Sequence, residues 1–196
     1  RRELPGHPLF EDAFYWQGMG YSFDGEHELT SNHLEDYLNR FPQGRYRPDA
    51  VFRRAFTTFA MADYRAANSE LREYLDLHDG DGYNDEARLL LGDSLLAVGE
   101  IDAGLASYKK INPSSGRLFE ESRFNIGKVM RLQGRFSDMR EHFTGFIASN
   151  PESTRMAEAV YWIGWAHKAE GNDQAARLMY RDILRMHGDR HELFGI

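Results

Sequence analysis

The side chains best suited to chemistry in this sequence are its eight histidines and a run of acidic residues at 79–86. A zinc site on a helix needs two histidines one turn apart, with a glutamate beside them if it is to hydrolyse. His187 and His191 stand four apart, but Gly188 breaks the helix that would align them, and His27-Glu28 meets Ser31 where the second histidine belongs. His7, His33, His78, His142 and His167 are dispersed and read as surface residues. A twelve-residue calcium loop needs glycine at its sixth position and a carboxylate at its twelfth. Counted from Asp79, those positions hold Asn84 and Leu90, so the run reads as a polar turn that caps the next helix. There is no cysteine, which excludes thiol nucleophiles, disulfides and Cys-ligated zinc. No phosphate loop, nucleophile elbow or dinucleotide fingerprint occurs, and Gly18-Met19-Gly20 has no strand before it. The sequence therefore predicts no catalytic residue, no metal and no cofactor; the chain reads as a binding protein and not an enzyme.

Composition bounds the alternatives. The 196 residues carry a formal charge of −7, which disfavours a nucleic-acid binder, since those present a basic face. With 41% hydrophobic residues the chain can bury a core. No apolar run approaches the ~18 residues that span a bilayer, so membrane insertion within this segment is not expected. Arg1 stands where Met would begin a gene product, which points to processing or to a piece of a longer chain.

What must position any site is a repeat. Ala13-Gly18-Gly25, Ala50-Ala55-Ala62, Ala87-Gly92-Gly99, Ser122-Gly127-Gly134 and Ala159-Gly164-Gly171 share one spacing of small residues. Their middle members are 37, 37, 35 and 37 residues apart. Sixteen residues after each middle member comes Leu34, Leu71, Tyr108, Phe143 or Tyr180, and three later Tyr37, Tyr74, Ile111, Phe146 or Ile183. Small residues in one helix let a second helix pack closely against it, and a glycine past the helix end accepts the left-handed cap. Pro42, Pro113 and Pro151 fall between units. A single helix pair cannot bury its apolar stripe, so successive pairs must stack. The fold class is all-α: a right-handed α-solenoid of about five helix–turn–helix repeats. The array covers residues 11–188, with units at about 11–47, 48–83, 84–116, 117–152 and 153–188. Residues 1–10 form an extended lead-in, and 189–196 begin a further or capping segment.

The paired small residues, Ala67, Gly104 and Ala176 in the second helices, and the inter-unit Pro42 and Pro151 resemble a tetratricopeptide-repeat (TPR) array. Thr30 and Met139 depart from the small residue expected at that point. Phe41-Pro42 and Ala-Val-Tyr-Trp-Ile-Gly at 159–164 resemble the bacterial envelope type: Tol–Pal-associated proteins and outer-membrane assembly lipoproteins. That likeness implies a periplasmic or envelope-associated place, while a cytoplasmic one stays open.

In such arrays the first helices line a concave groove. The resemblance puts three rows there: Tyr15, Phe52, Leu89, Phe124, Tyr161; then Met19, Phe56, Asp93, Lys128, Trp165; then Ser22, Phe59, Leu96, Arg131, Lys168. The candidate partner-binding residues are Tyr15, Phe52, Phe56, Phe124, Lys128, Arg131, Tyr161, Trp165 and Lys168. Aromatic and Arg side chains are the usual anchors of an interface, but an aromatic row at helical spacing also reads as helix-to-helix packing. With Tyr15, Phe52 and Leu89 in the first row, the early units lack the Lys and Asn donors of a chaperone-tail clamp. The row Asp12, Asp49, Glu86, Glu121 and Glu158 reads as carboxylates favoured by the positive end of each helix.

The function expected is a non-catalytic scaffold or adaptor holding a peptide or protein segment, within bacterial envelope assembly if the finer likeness holds. The alternative is an accessory or regulatory repeat segment of a larger enzyme or signalling protein. Glycan binding by Tyr15, Trp162 and Trp165 has aromatic content alone behind it. The close at 191–196 ends on apolar residues without a polar capping helix, so further repeats, a capping helix or a partner is expected over the last unit, self-association through the C-terminal end included.

Overall fold

Glycine or alanine at a fixed point of every first helix lets an aromatic or leucine from the following helix approach its backbone, and the pair turns back on itself. The computed structural model describes residues 7, 9–78, 80 and 82–188, the last three by backbone alone. Among these, the pairs are α1 (Phe10–Phe23) with α2 (His27–Arg40), α3 (Arg47–Ala60) with α4 (Tyr64–Leu77), and α5 (Asn84–Ala97) with α6 (Ile101–Lys109). A short 3-10 turn at Pro113–Ser115 precedes α7 (Arg117–Leu132) with α8 (Phe136–Ser149) and α9 (Met156–Ala169) with α10 (Asp173–Gly188). No strand occurs among the described residues. The expected further or capping segment at 189–196 lies outside the described residues, as does nearly all of the lead-in.

The chain divides into two compact units, Arg1–Leu118 and Phe119–Ile196. In the first, consecutive helices from α1 to α6 pack on one another. Its core joins Tyr15, Met19, Leu34, Tyr37 and Ala50 in one cluster and Val51, Phe52, Leu71, Tyr74, Leu91 and Leu95 in another. In the second, Phe124, Met139, Phe143, Phe146, Ala159 and Ile163 form the core. Thr30 and Met139, the two departures from a small residue, are both fully enclosed. Thr30 returns its hydroxyl to the Glu26 carbonyl at 2.9 Å, so its polar atom is satisfied inside the helix.

Each first helix ends in the same way. In α5 the Gly99 amide donates to the Leu96 carbonyl and the Glu100 amide to the Leu95 carbonyl, the paired bonds of a Schellman turn. The same two bonds recur after α1, α3, α7 and α9. After α3 the left-handed residue is Ala62, with φ +63°, where the sister turns use glycine.

In three pairs a side chain of the second helix donates to a backbone carbonyl of the first. His33 Nε2 donates to the Phe14 carbonyl at 2.7 Å, Ser107 to the Arg88 carbonyl at 2.7 Å, and His142 Nε2 to the Arg123 carbonyl at 2.8 Å. A carbonyl only accepts, so Nε2 carries the hydrogen in both histidines. This corrects the expectation of dispersed surface histidines: His33 and His142 are half-buried and hold helix pairs together.

Two carboxylates fasten the loops that lead out of a pair. Glu11 accepts from the Tyr37 hydroxyl and the Arg45 amide, each at 2.7 Å. Asp85 accepts from the Asn112 amide at 3.2 Å, from Arg88 at 2.6 Å and from the Ser115 hydroxyl. Burial would raise the Asp85 carboxyl, but the bonds from Ser115, Arg88 and Asn112 outweigh it and hold the group below the usual carboxylate range. Burial and the bond to Glu11 push the Tyr37 phenol well above its ordinary value.

Candidate partner-binding site

The first row expected in the groove is largely enclosed. Tyr15, Phe52 and Phe124 are 3%, 7% and 1% exposed, because the residue that opens the next first helix lies on each ring. Tyr46 stacks on Tyr15 at 4.1 Å and Tyr83 on Phe52 at 4.6 Å, both nearly parallel, and the Arg155 guanidinium sits 3.5 Å from the centre of Phe124. These three candidate residues are therefore corrected from groove anchors to packing between successive pairs. Tyr15 is likewise removed from any glycan surface.

The remaining candidates are exposed or half-buried. Phe56, on α3 of the first unit, is 47% exposed, and Tyr161, on α9 of the second, is 44% exposed. Lys128 and Lys168 are exposed, while Arg131 and Trp165 are half-buried.

The second unit brings several of them together across α7 and α9. The guanidinium of Arg131 lies 5.8 Å from the ring centre of Trp162 and 5.6 Å from that of Trp165, within cation–π range of both. Trp165 also meets Phe136 edge-on at 5.6 Å, and the two indoles stand 6.1 Å apart. Arg131 Nε is buried and has no hydrogen-bond partner among the described residues. Lys128 reaches Asn125 Oδ1 at 3.0 Å, and Lys168 is paired with Asp173 at 2.8 Å. That exposed pairing lowers the Asp173 carboxyl. Trp162 was not among the sequence-selected groove residues; its signal was the three-residue step to Trp165, which puts both rings on one side of a helix.

Asp12, Asp49 and Glu158 of the helix-start row are engaged. Asp12 pairs with Arg45 at 2.9 Å and Glu158 with Arg155 at 2.8 Å. Asp49 accepts from Arg53 at 2.7 Å and from the Tyr15 hydroxyl. The same carboxylate, with burial behind it, raises the Tyr83 phenol. Among the described residues no group of three His, Asp or Glu side chains is placed to hold a metal ion. No helix of the described residues is long and apolar enough to cross a membrane.

Residues 158–189, which span most of α9 and α10, match the tetratricopeptide repeat family model. A solved structure of MamA superposes with a TM-score of 0.74 at 14% identity, covering 95% of this chain and 96% of that one. The chain has the tetratricopeptide-repeat fold. A TPR protein from Parabacteroides merdae is similar at a TM-score of 0.71 and 12% identity, over 90% of this chain and 66% of that one. MamA from Desulfovibrio magneticus gives 0.67 and 12%, over 91% and 96%. A search of curated protein sequences gives no match. The TPR match falls on the pair that contributes Trp162, Trp165 and Lys168 to the patch.

Proposed function

We propose that this chain is a non-catalytic protein–protein interaction scaffold whose second unit holds a carboxylate-bearing peptide or protein segment at Arg131, Trp162 and Trp165. The observation that carries the reading is the buried Arg131 Nε without a hydrogen-bond partner among the described residues, beside two indoles. A buried donor left unmade costs about 1–3 kcal/mol, and a carboxylate oxygen reaching it would recover that. The indole faces orient the guanidinium through cation–π attraction and add apolar contact for the flanking backbone. Lys128 and Lys168 extend the positive edge of the patch, and Phe56 gives the first unit a separate exposed aromatic contact.

The test is a crosslinking pull-down from the native source with wild type beside Arg131→Glu/Trp165→Ala, after circular dichroism establishes that the variant is folded. A partner captured by wild type and lost by the variant is the expected result. A partner held equally by both overturns the assignment of this patch. A role in bacterial envelope assembly rests on the likeness of Phe41-Pro42 and residues 159–164, and subcellular fractionation of the native protein tests it separately.

A further inference from the structure

Within each unit, a following pair covers its predecessor by fixed contacts, and two of those contacts are open at α9 and α10. The first is the ring contact. Tyr15, Phe52 and Phe124 are covered by Tyr46, Tyr83 and Arg155, which stand nine residues before the middle small residue of the next first helix. Tyr161 holds the same position in α9 and is 44% exposed; among the described residues it meets only Trp162 and Tyr180 rings. The second is apolar. Leu38, Leu75 and Ile147, twenty residues after each middle small residue, are packed into a core they share with the following first helix. Leu184 is their equivalent in α10 and is 72% exposed.

The opposite face of the repeat contact is open on α1. Ala50, Ala87 and Ala159 are fully enclosed, yet Ala13 at the same position is exposed. Leu9 holds the place of Tyr46, Tyr83 and Arg155 and is 61% exposed. The polar chemistry matches as well. In the first row only Tyr15 and Tyr161 carry a hydroxyl, and in the helix-start row only Asp12 and Asp49 are aspartates; the others are glutamates. The Tyr15 hydroxyl donates to Asp49 of the next first helix. Asp12 is the aspartate left for the Tyr161 hydroxyl, and it can accept beside Arg45 as Asp49 accepts beside Arg53.

We infer that a second copy of this chain docks head to tail, its α1 taking the place of the next first helix against α9 and α10. Leu9 then covers the Tyr161 ring, Ala13 allows close approach, Leu184 packs beneath α1, and the Tyr161 hydroxyl donates to Asp12. Such an interface joins two different faces, so a dimer leaves one of each open and assembly continues to a ring or an open chain.

The test is analytical ultracentrifugation of the 196-residue chain over a dilution series, with Ala13→Arg blocking the head and Leu184→Glu blocking the tail. Both positions are exposed, and circular dichroism checks that the variants fold. Wild type should grow in mass with concentration, while each variant alone stays monomeric. Their equimolar mixture should form a dimer and nothing larger, because pairing uses the one open head and the one open tail and leaves only blocked ends. Tyr161→Phe should weaken association roughly five-fold, the loss of one hydrogen bond. A wild type that stays monomeric at every concentration overturns the inference, and is the result if residues 189–196 of the same chain cover Tyr161. Variants that associate as wild type does, or a mixture that stays monomeric, overturn it too.

Discussion

The Tyr108 ring fills the space that a side chain on Gly92 would need. A β-carbon at Gly92 would stand 2.3 Å from Tyr108 Cε1 and 2.6 Å from Cδ1. The ring is fully enclosed, and its hydroxyl is held by Asp93 one residue further along α5. It cannot swing aside without leaving that carboxylate.

Gly92→Ala should therefore destabilise the protein although alanine is the better helix former. Overpacking of about 1–3 kcal/mol exceeds the helix-propensity gain of about 1 kcal/mol. Gly145→Ala, at a helical glycine with nothing within 4 Å of its β-position, should instead raise the melting temperature. Thermal denaturation of the two variants checks both signs.

Ala62 adopts φ +63° in a turn whose sisters use Gly25, Gly99, Gly134 and Gly171. An L-residue in this region costs about 1–2 kcal/mol, against which the extra freedom of an unfolded glycine counts less. Ala62→Gly should stabilise by up to about 1 kcal/mol. Urea unfolding with an unchanged m-value is the readout.

Gly18 and His33 should be energetically coupled. A β-carbon at Gly18 would stand 2.6 Å from His33 Cδ2, and the imidazole is held by the Phe14 carbonyl and stacked on the Phe14 ring at 4.3 Å. Gly18→Ala should be costly in the wild type and nearly harmless beside His33→Ser. A double-mutant cycle should return a coupling of about 1–3 kcal/mol; additive effects would mean the ring moves freely.

Asp85 gives the fold an acid-sensitive fastening. Its folded carboxyl titrates lower than an unfolded one, so its contribution is complete above the ordinary carboxylate pKa of about 3.9 and is lost as pH falls through the depressed value. Asp85→Asn should cost about 1–2 kcal/mol at neutral pH, and the gap from wild type should narrow in acid. A gap that holds constant from neutral to strongly acid pH would contradict this.

The repeat and its close approaches were legible because both partners recur at one spacing. Glycine stands at 92, 127 and 164 opposite Tyr108, Phe143 and Tyr180, and alanine at 55 opposite the slimmer Leu71. The burial of Tyr15, Phe52 and Phe124 was harder to read, because what covers them changes type: Tyr46, Tyr83, then Arg155. Self-comparison finds identical residues more easily than identical roles. The same holds for the helix ties, where His33 and His142 flank a Ser107 that does equivalent work. The unpaired Nε of Arg131 leaves no sequence signal, since it depends on which acceptors fail to arrive.

Asp49 acts on three successive helix pairs through one carboxylate: it accepts from Tyr15 of α1 and from Arg53 of its own α3, and it raises the phenol of Tyr83 at the start of α5. Opening the first pair thus removes a ligand from a group that the third pair also uses. Amide protons of α1 to α4 should then exchange as one cooperative block, and the N-terminal end should resist peeling away one pair at a time.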